Sequence, residues 1–218
     1  MDEPLSIRRE PMVDVPLAVA ALVALLIALH AWRVLAHADA APLALTADDL
    51  ARGNLAPLVT HIFTHGGWAH VLMNSAFCLI FGVPVRRFLG PGARGTFLFL
   101  LFFLVTGIAA ALGYAALYPH GRWMLVGASG AASGLFGGAS RLFEGRGVLS
   151  RIVSRPVITM TLGWVFVNVV LGVSGLTPGA AGVVVAWQAH ILGFVAGVLL
   201  IGPFAWAAGV PRGPQMAA

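Results

Sequence analysis

The chain has 218 residues, 59% of them hydrophobic and only 10% charged, with a formal net charge of +5 and a mean hydropathy of +0.92. A water-soluble domain needs far more charged surface than this, so the composition excludes that class and points to a multi-pass membrane protein. All thirteen basic residues are arginines scattered between apolar runs, a pattern set by membrane topology rather than by nucleic-acid binding.

Apolar runs punctuated by Gly, Pro and Arg predict six membrane helices. The first, over 15–36, follows Arg8 and Arg9 and resembles a secretory signal, with an apolar stretch from Leu17 to Leu29 and small residues at Ala36, Ala38 and Ala40. The run continues through Trp32, Val34 and Leu35, which is long for a signal core and adequate for a span, so the helix is expected to be retained. A long mixed segment over 37–69 follows, suited to the membrane interface. The remaining helices are expected over 69–89, 95–117, 128–143, 156–173 and 187–208. The expected organisation is a short tail over 1–14, an all-α membrane domain over 15–208 and a second tail over 209–218. The lone cysteine, Cys78, falls inside an apolar run as a small core residue.

Ten arginines fall on one side of this arrangement (Arg8, Arg9, Arg86, Arg87, Arg94, Arg141, Arg146, Arg151, Arg155, Arg212) and three on the other (Arg33, Arg52, Arg122). The positive-inside rule then makes both termini cytoplasmic and starts the second, fourth and sixth helices at the outer face. Those three helix starts carry the polar residues that a span can least tolerate: His65, His70 and Asn74 in HGGWAHVLMN, Ser129 in GASGAASG, and His190 in WQAHILGFVAG. From Ser129 to Arg141 the helix rises about 18 Å, against a hydrocarbon core of about 30 Å, which sets Ser129 below the outer surface.

A buried serine hydroxyl is a weak nucleophile until a base takes its proton, and His190 is the titratable side chain at matching depth. No Asp or Glu lies in the second, fourth or sixth helix, so the imidazole is expected to be oriented by packing or by an apolar or aromatic neighbour. His70 and Asn74 lie one turn apart on one face and, with the Ser129 backbone N–H, suit an oxyanion hole. His190, Gly193 and Gly197 share a face, as do Ser129, Ser133 and Gly137, and small residues let two such helices approach closely. Gly127 and Gly130, which flank the serine, belong to the same packing.

GASG opening a membrane helix, HxxGxxxG from His190 to Gly197, and HxxxxHxxxN from His65 to Asn74 together resemble the signatures of rhomboid intramembrane proteases, in the same order. The likeness covers about residues 52–208. It implies a six-transmembrane-helix rhomboid-like bundle, hydrolysis of peptide bonds in or beside transmembrane segments of other membrane proteins, and no metal or organic cofactor. It also implies Ser129 as nucleophile, His190 as base, His70 and Asn74 as oxyanion donors, with 156–173 as gate and 174–186 as cap. One departure is the Trp-Arg pair that many rhomboids carry before the second helix: here that stretch reads ARGNLAPLVTHIF, and Trp32-Arg33 lies too early to replace it.

Ser133, one turn deeper than Ser129, is expected to pack, and His65 to brace the loop. His61 and His65 stand at i, i+4, but no HExxH motif joins them, so no metal site is expected. Two other functions compete: an inactive rhomboid relative that binds transmembrane segments, and a small transporter, for which neither a repeat nor a midplane carboxylate is present. The expected location is a bacterial plasma membrane, with lipid and transmembrane substrates as partners and no nucleic acid.

Overall fold

A computed structural model describes residues 14–143, 148–174 and 186–210. Most of both expected tails, Arg146, and nearly all of the expected cap over 174–186 lie outside the described residues. Among the described residues six principal helices carry the fold: α1 (Leu17–Leu35), α4 (Trp68–Phe88), α5 (Gly92–Leu117), α6 (Ser129–Ser140), α7 (Arg155–Ser174) and α8 (Trp187–Ala208). A 3-10 turn (Ala41–Leu43) and two short helices, α2 (Ala47–Ala51) and α3 (Pro57–Phe63), lie in the segment between α1 and α4, and a two-stranded pair, β1 (Leu45–Thr46) with β2 (Met124–Leu125), completes the set among the described residues.

Five of the six long helices are long and apolar enough to cross a bilayer. The exception is α6, expected over 128–143 but only 12 residues long. It rises about 18 Å, too little to cross a hydrocarbon core of about 30 Å by itself. Nine of its residues are buried, so α6 is the internal post of the bundle, its composition rich in Gly, Ala and Ser letting the neighbouring helices close on it.

Hydrogen bonds at the helix ends fix their directions. Arg87 at the end of α4 reaches Asp14 just before α1, while Arg33 at the end of α1 donates to the His65 carbonyl just before α4. Likewise Gln188 at the start of α8 bonds Tyr118 after α5, and Arg94 at the start of α5 reaches the Ala207 carbonyl near the end of α8. Ala128 just before α6 bonds to His65 just before α4, and Arg141 just after α6 bonds to Ser150 ahead of α7, so α4, α6 and α8 start at one end of the bundle, and α1, α5 and α7 at the other. Two arginines that the topology pattern assigned to loops are buried instead: Arg86 donates to the Gly90 and Gly92 carbonyls and to Thr96, and Arg141 to the Ser150 and Val198 carbonyls. Both satisfy backbone carbonyls inside the bundle, a part that water plays elsewhere.

The core lies along α5 and α6, where Phe99, Phe102 and Phe103 are fully buried. The helix with least cover is α7: 11% of its apolar window is buried, against 28–50% in the other four spans, and only Val157 and Asn168 are buried along it.

Candidate active site

Two residues before Ser129 the chain turns at Gly127 with φ of +110°, a conformation that L side chains rarely adopt. Space forbids a side chain there as well, because a Cβ on Gly127 would stand 2.5 Å from His70 Nε2 and 3.3 Å from Asn74 Nδ2. The turn is pinned through two of its backbone N–H groups. Gly127 N–H donates to the His61 carbonyl at 2.8 Å, and Ala128 N–H donates to His65 Nε2 at 3.3 Å. Ser129 then opens α6, so its N–H falls in the first turn, where no intrahelical acceptor exists.

His65 is thus a bracing residue, as expected, and a hub. It is fully buried, its carbonyl accepts from Arg33 Nη2 at 2.7 Å, and its ring lies 5.1 Å from that of His70. Burial, with the neighbouring His70 and His30, pushes its imidazole down to about 3, so the ring is neutral and accepts the Ala128 N–H. Arg33, discounted in the sequence for standing too early, also reaches the Ala38 carbonyl. This arginine on α1, together with the β1–β2 pair and the Thr46–Asp49 capping box of α2, braces the first loop.

On the opposite side α6 meets α8 backbone to backbone. A Cβ on Gly193 would stand 2.2 Å from the Gly130 carbonyl oxygen, one on Gly197 2.0 Å from the Gly134 oxygen, and one on Gly137 2.0 Å from the Phe194 oxygen. The contact face of α6 is therefore Gly130, Gly134 and Gly137, rotated by one residue from the Ser129, Ser133 and Gly137 face that spacing suggested. Ser133 is 2% exposed and donates to the Ser129 carbonyl at 2.7 Å, a packing role.

His190 lies one turn ahead of Gly193, and Ser129 next to Gly130, so both side chains leave from backbones in contact. No hydrogen bond joins the Ser129 hydroxyl to His190 among the described residues. His190 Nδ1 instead lies 2.8 Å from Asn168 Oδ1 on α7, with the Trp164 ring 6.3 Å away and tilted 35°. The expected apolar or aromatic orienter is accordingly joined by a polar one, the side-chain amide of Asn168. A lone Asn within the apolar run of 156–173 is a signal visible in the sequence, standing apart from the three helix starts that carry the other polar residues. His30 is a second such signal; it is buried on α1 against Trp68, ring centroids 4.8 Å apart.

Asn74 is 6% exposed, and its Nδ2 has no acceptor among the described residues. A buried amide donor without a partner costs roughly 1–3 kcal/mol, an expense that a structural asparagine does not need.

A family model described as the rhomboid domain matches residues 52–206. The chain is 36% identical over 133 residues to a Bacillus subtilis (strain 168) protein named "Putative rhomboid protease YdcA", covering 60% of this chain and 62% of that one. It is 35% identical over 137 residues to "RHOMBOID-like protein 4" of Arabidopsis thaliana, covering 62% of this chain and 30% of that one. The alignments thus span less than two thirds of either relative. With the family model matched over more than half of its length and five apolar helices long enough to span, this multi-pass membrane chain belongs to the rhomboid family.

Proposed function

We propose that the chain is an intramembrane serine endopeptidase, with Ser129 as nucleophile, His190 as base, and His70, Asn74 and the Ser129 N–H as oxyanion donors. The observation that carries this reading is the position of the stretch from Gly127 to Gly130. It touches the side-chain nitrogens of His70 and Asn74 on one side and Gly193, one turn from His190, on the other. The unpartnered Asn74 Nδ2 is the kind of donor that an oxyanion hole holds in reserve until charge develops.

In this mechanism Ser129 Oγ attacks the substrate carbonyl as its proton passes to His190 Nε2. The imidazolium then protonates the leaving amine as the C–N bond breaks. Water deprotonated by His190 releases the acyl group and restores the serine. No Ser129–His190 hydrogen bond stands among the described residues, and catalytic hydrogen bonds often tighten only in the complex.

Rhomboids act on transmembrane substrates within membranes, and here the loosely covered α7 is the side from which a substrate helix would enter. The arginine-rich end of the bundle is assigned to the cytoplasm of a bacterial cell, which directs Ser129 toward the outer leaflet and both termini inward.

The missing Ser129–His190 bond favours a second reading, a rhomboid relative that binds transmembrane segments without cutting them. Reconstitution with a transmembrane reporter separates the two. Cleavage by the wild type, lost in both Ser129→Ala and His190→Ala and kept under a metal chelator, supports the protease. Specific binding of the reporter without cleavage supports the relative.

A further inference from the structure

A general base needs one bare nitrogen aimed at its proton donor, and an imidazole has two tautomers and two ring faces from which to choose. Asn168 restricts that choice. It is 1% exposed, yet it sits on the least covered helix of the bundle, where an apolar residue would be cheaper to bury.

Its amide orientation follows from both of its partners. Asn168 Nδ2 lies 2.9 Å from the Trp164 carbonyl, an acceptor, so the nitrogen belongs there and Oδ1 faces His190 at 2.8 Å. The flipped amide would set two oxygens against each other and leave the nitrogen facing the ring. Since Oδ1 only accepts, His190 Nδ1 carries the proton and Nε2 keeps its lone pair. When Nε2 takes the serine proton, Nδ1–H still donates to Oδ1, so the bond needs no rearrangement during the reaction.

We propose that Asn168 is a positioning residue that holds His190 in the Nδ1–H tautomer with Nε2 free for Ser129, so that the base is set only while α7 is docked. This rests on the Ser129–His190 reading. The docking itself is slender: Trp164 packs on Phe77 of α4 and Phe136 of α6, with ring centroids 5.5 and 5.3 Å away. At the other end Gly172 makes a notch for the Trp187 indole, which a Cβ there would meet at 2.3 Å. Outward movement of α7 would admit a substrate helix and withdraw the acceptor from His190 together. Chemistry then waits for α7 to close on the bound segment.

The test uses the full chain in lipid, comparing wild type with Asn168→Leu, which removes the acceptor at similar volume, and Asn168→Asp, which keeps it. Three quantities are read: kcat and KM on a transmembrane reporter, the rate at which a small water-soluble fluorophosphonate labels Ser129, and the melting temperature. Asn168→Leu is expected to lose on the order of 10–100-fold in kcat and equally in labelling rate, with KM within about two-fold, the usual cost of an orienting partner. Asn168→Asp is expected to recover most of both rates. A small reagent does not need α7 to admit a helix, so an effect on reporter entry alone would raise KM and spare labelling, which would overturn the proposal.

Equal losses in the Leu and Asp variants that only track melting would overturn it as well. If Asn168→Leu does not fold, the 15N shifts of His190 in the wild type decide: a protonated Nδ1 with a bare Nε2 upholds the proposal, and the reverse tautomer overturns it. Should Ser129→Ala or His190→Ala cut as well as wild type, the dyad reading fails. Should both be inert while Asn168→Leu labels at the wild-type rate, the positioning role alone fails.

Discussion

Gly193 of α8 lies so close to Gly130 of α6 that a Cβ on it would stand 2.2 Å from the Gly130 carbonyl oxygen. An ordinary contact begins near 3.4 Å, so Gly193→Ala must push the two helices apart by roughly 1 Å, and overpacking of this kind costs about 1–3 kcal/mol. The same displacement separates Ser129 from His190, where roughly an ångström of misplacement can cost about 100-fold in rate. Gly193→Ala and Gly197→Ala are therefore expected to lower the melting temperature and to reduce kcat far more than folding. Gly163→Ala, with nothing within 4 Å of its Cβ position, is the matched control and should leave both unchanged.

Gly127→Ala meets two obstacles, a backbone φ of +110° and the His70 ring 2.5 Å from its Cβ position. The backbone strain alone is on the order of 1–3 kcal/mol. Relief by swinging His70 aside would remove an oxyanion donor. Cleavage should therefore fall by at least about 100-fold while far-ultraviolet circular dichroism stays that of the wild type. Near wild-type cleavage would remove His70 from the proposed hole.

The buried His65 imidazole is held at about 3, below its ordinary 6.5. Between those values the unfolded chain binds a proton that the folded chain refuses, so stability is complete above about pH 6.5 and declines as pH falls toward 3. The slope is at most about 1.4 kcal/mol per pH unit for one such group. His61, also held low by burial, adds to the same window. Melting in detergent from pH 7 to pH 4 should show this decline, and His65→Gln, which keeps an acceptor for Ala128 N–H, should flatten it. A His65→Gln profile parallel to the wild type would contradict the assignment.

Arg33 ties the end of α1 to the His65 and Ala38 carbonyls. Arg33→Ala leaves those carbonyls to find other donors, at roughly 1–3 kcal/mol. Backbone amide exchange should rise around Ala38 and around Gly127, which hangs from the same loop, and remain unchanged along α5. Unchanged protection at Gly127 would mean that the brace stops at the first loop.

Hydropathy and arginine spacing were sufficient to place the long helices. The first is expected over 15–36 and observed as Leu17–Leu35, and the last matches at 187–208. They were less informative inside the bundle. Gly193 and Gly197 are legible as a packing face because periodicity defines a face, but it does not say how a helix is rotated against its neighbour. The contact on α6 consequently falls on Gly130 and Gly134, one residue from the face that spacing suggested. Arg33 could not be recognised as a brace because it binds backbone carbonyls, which leave no mark in the sequence. The short elements α2, α3 and β1 were hidden in a segment of mixed polarity, where capping and strand pairing outweigh hydrophobic period. Asn168 was legible, since a single amide in an apolar span is a costly feature whatever its distance from the helix start.

The most direct measurement is the site of covalent capture. The full chain in lipid is treated with a fluorophosphonate, digested, and the adduct mapped by mass spectrometry, for wild type and for His190→Ala. A single adduct on Ser129 is expected, formed at a rate that falls by at least about 100-fold in His190→Ala. An adduct on Ser133, or labelling of Ser129 that proceeds equally well without His190, would contradict it.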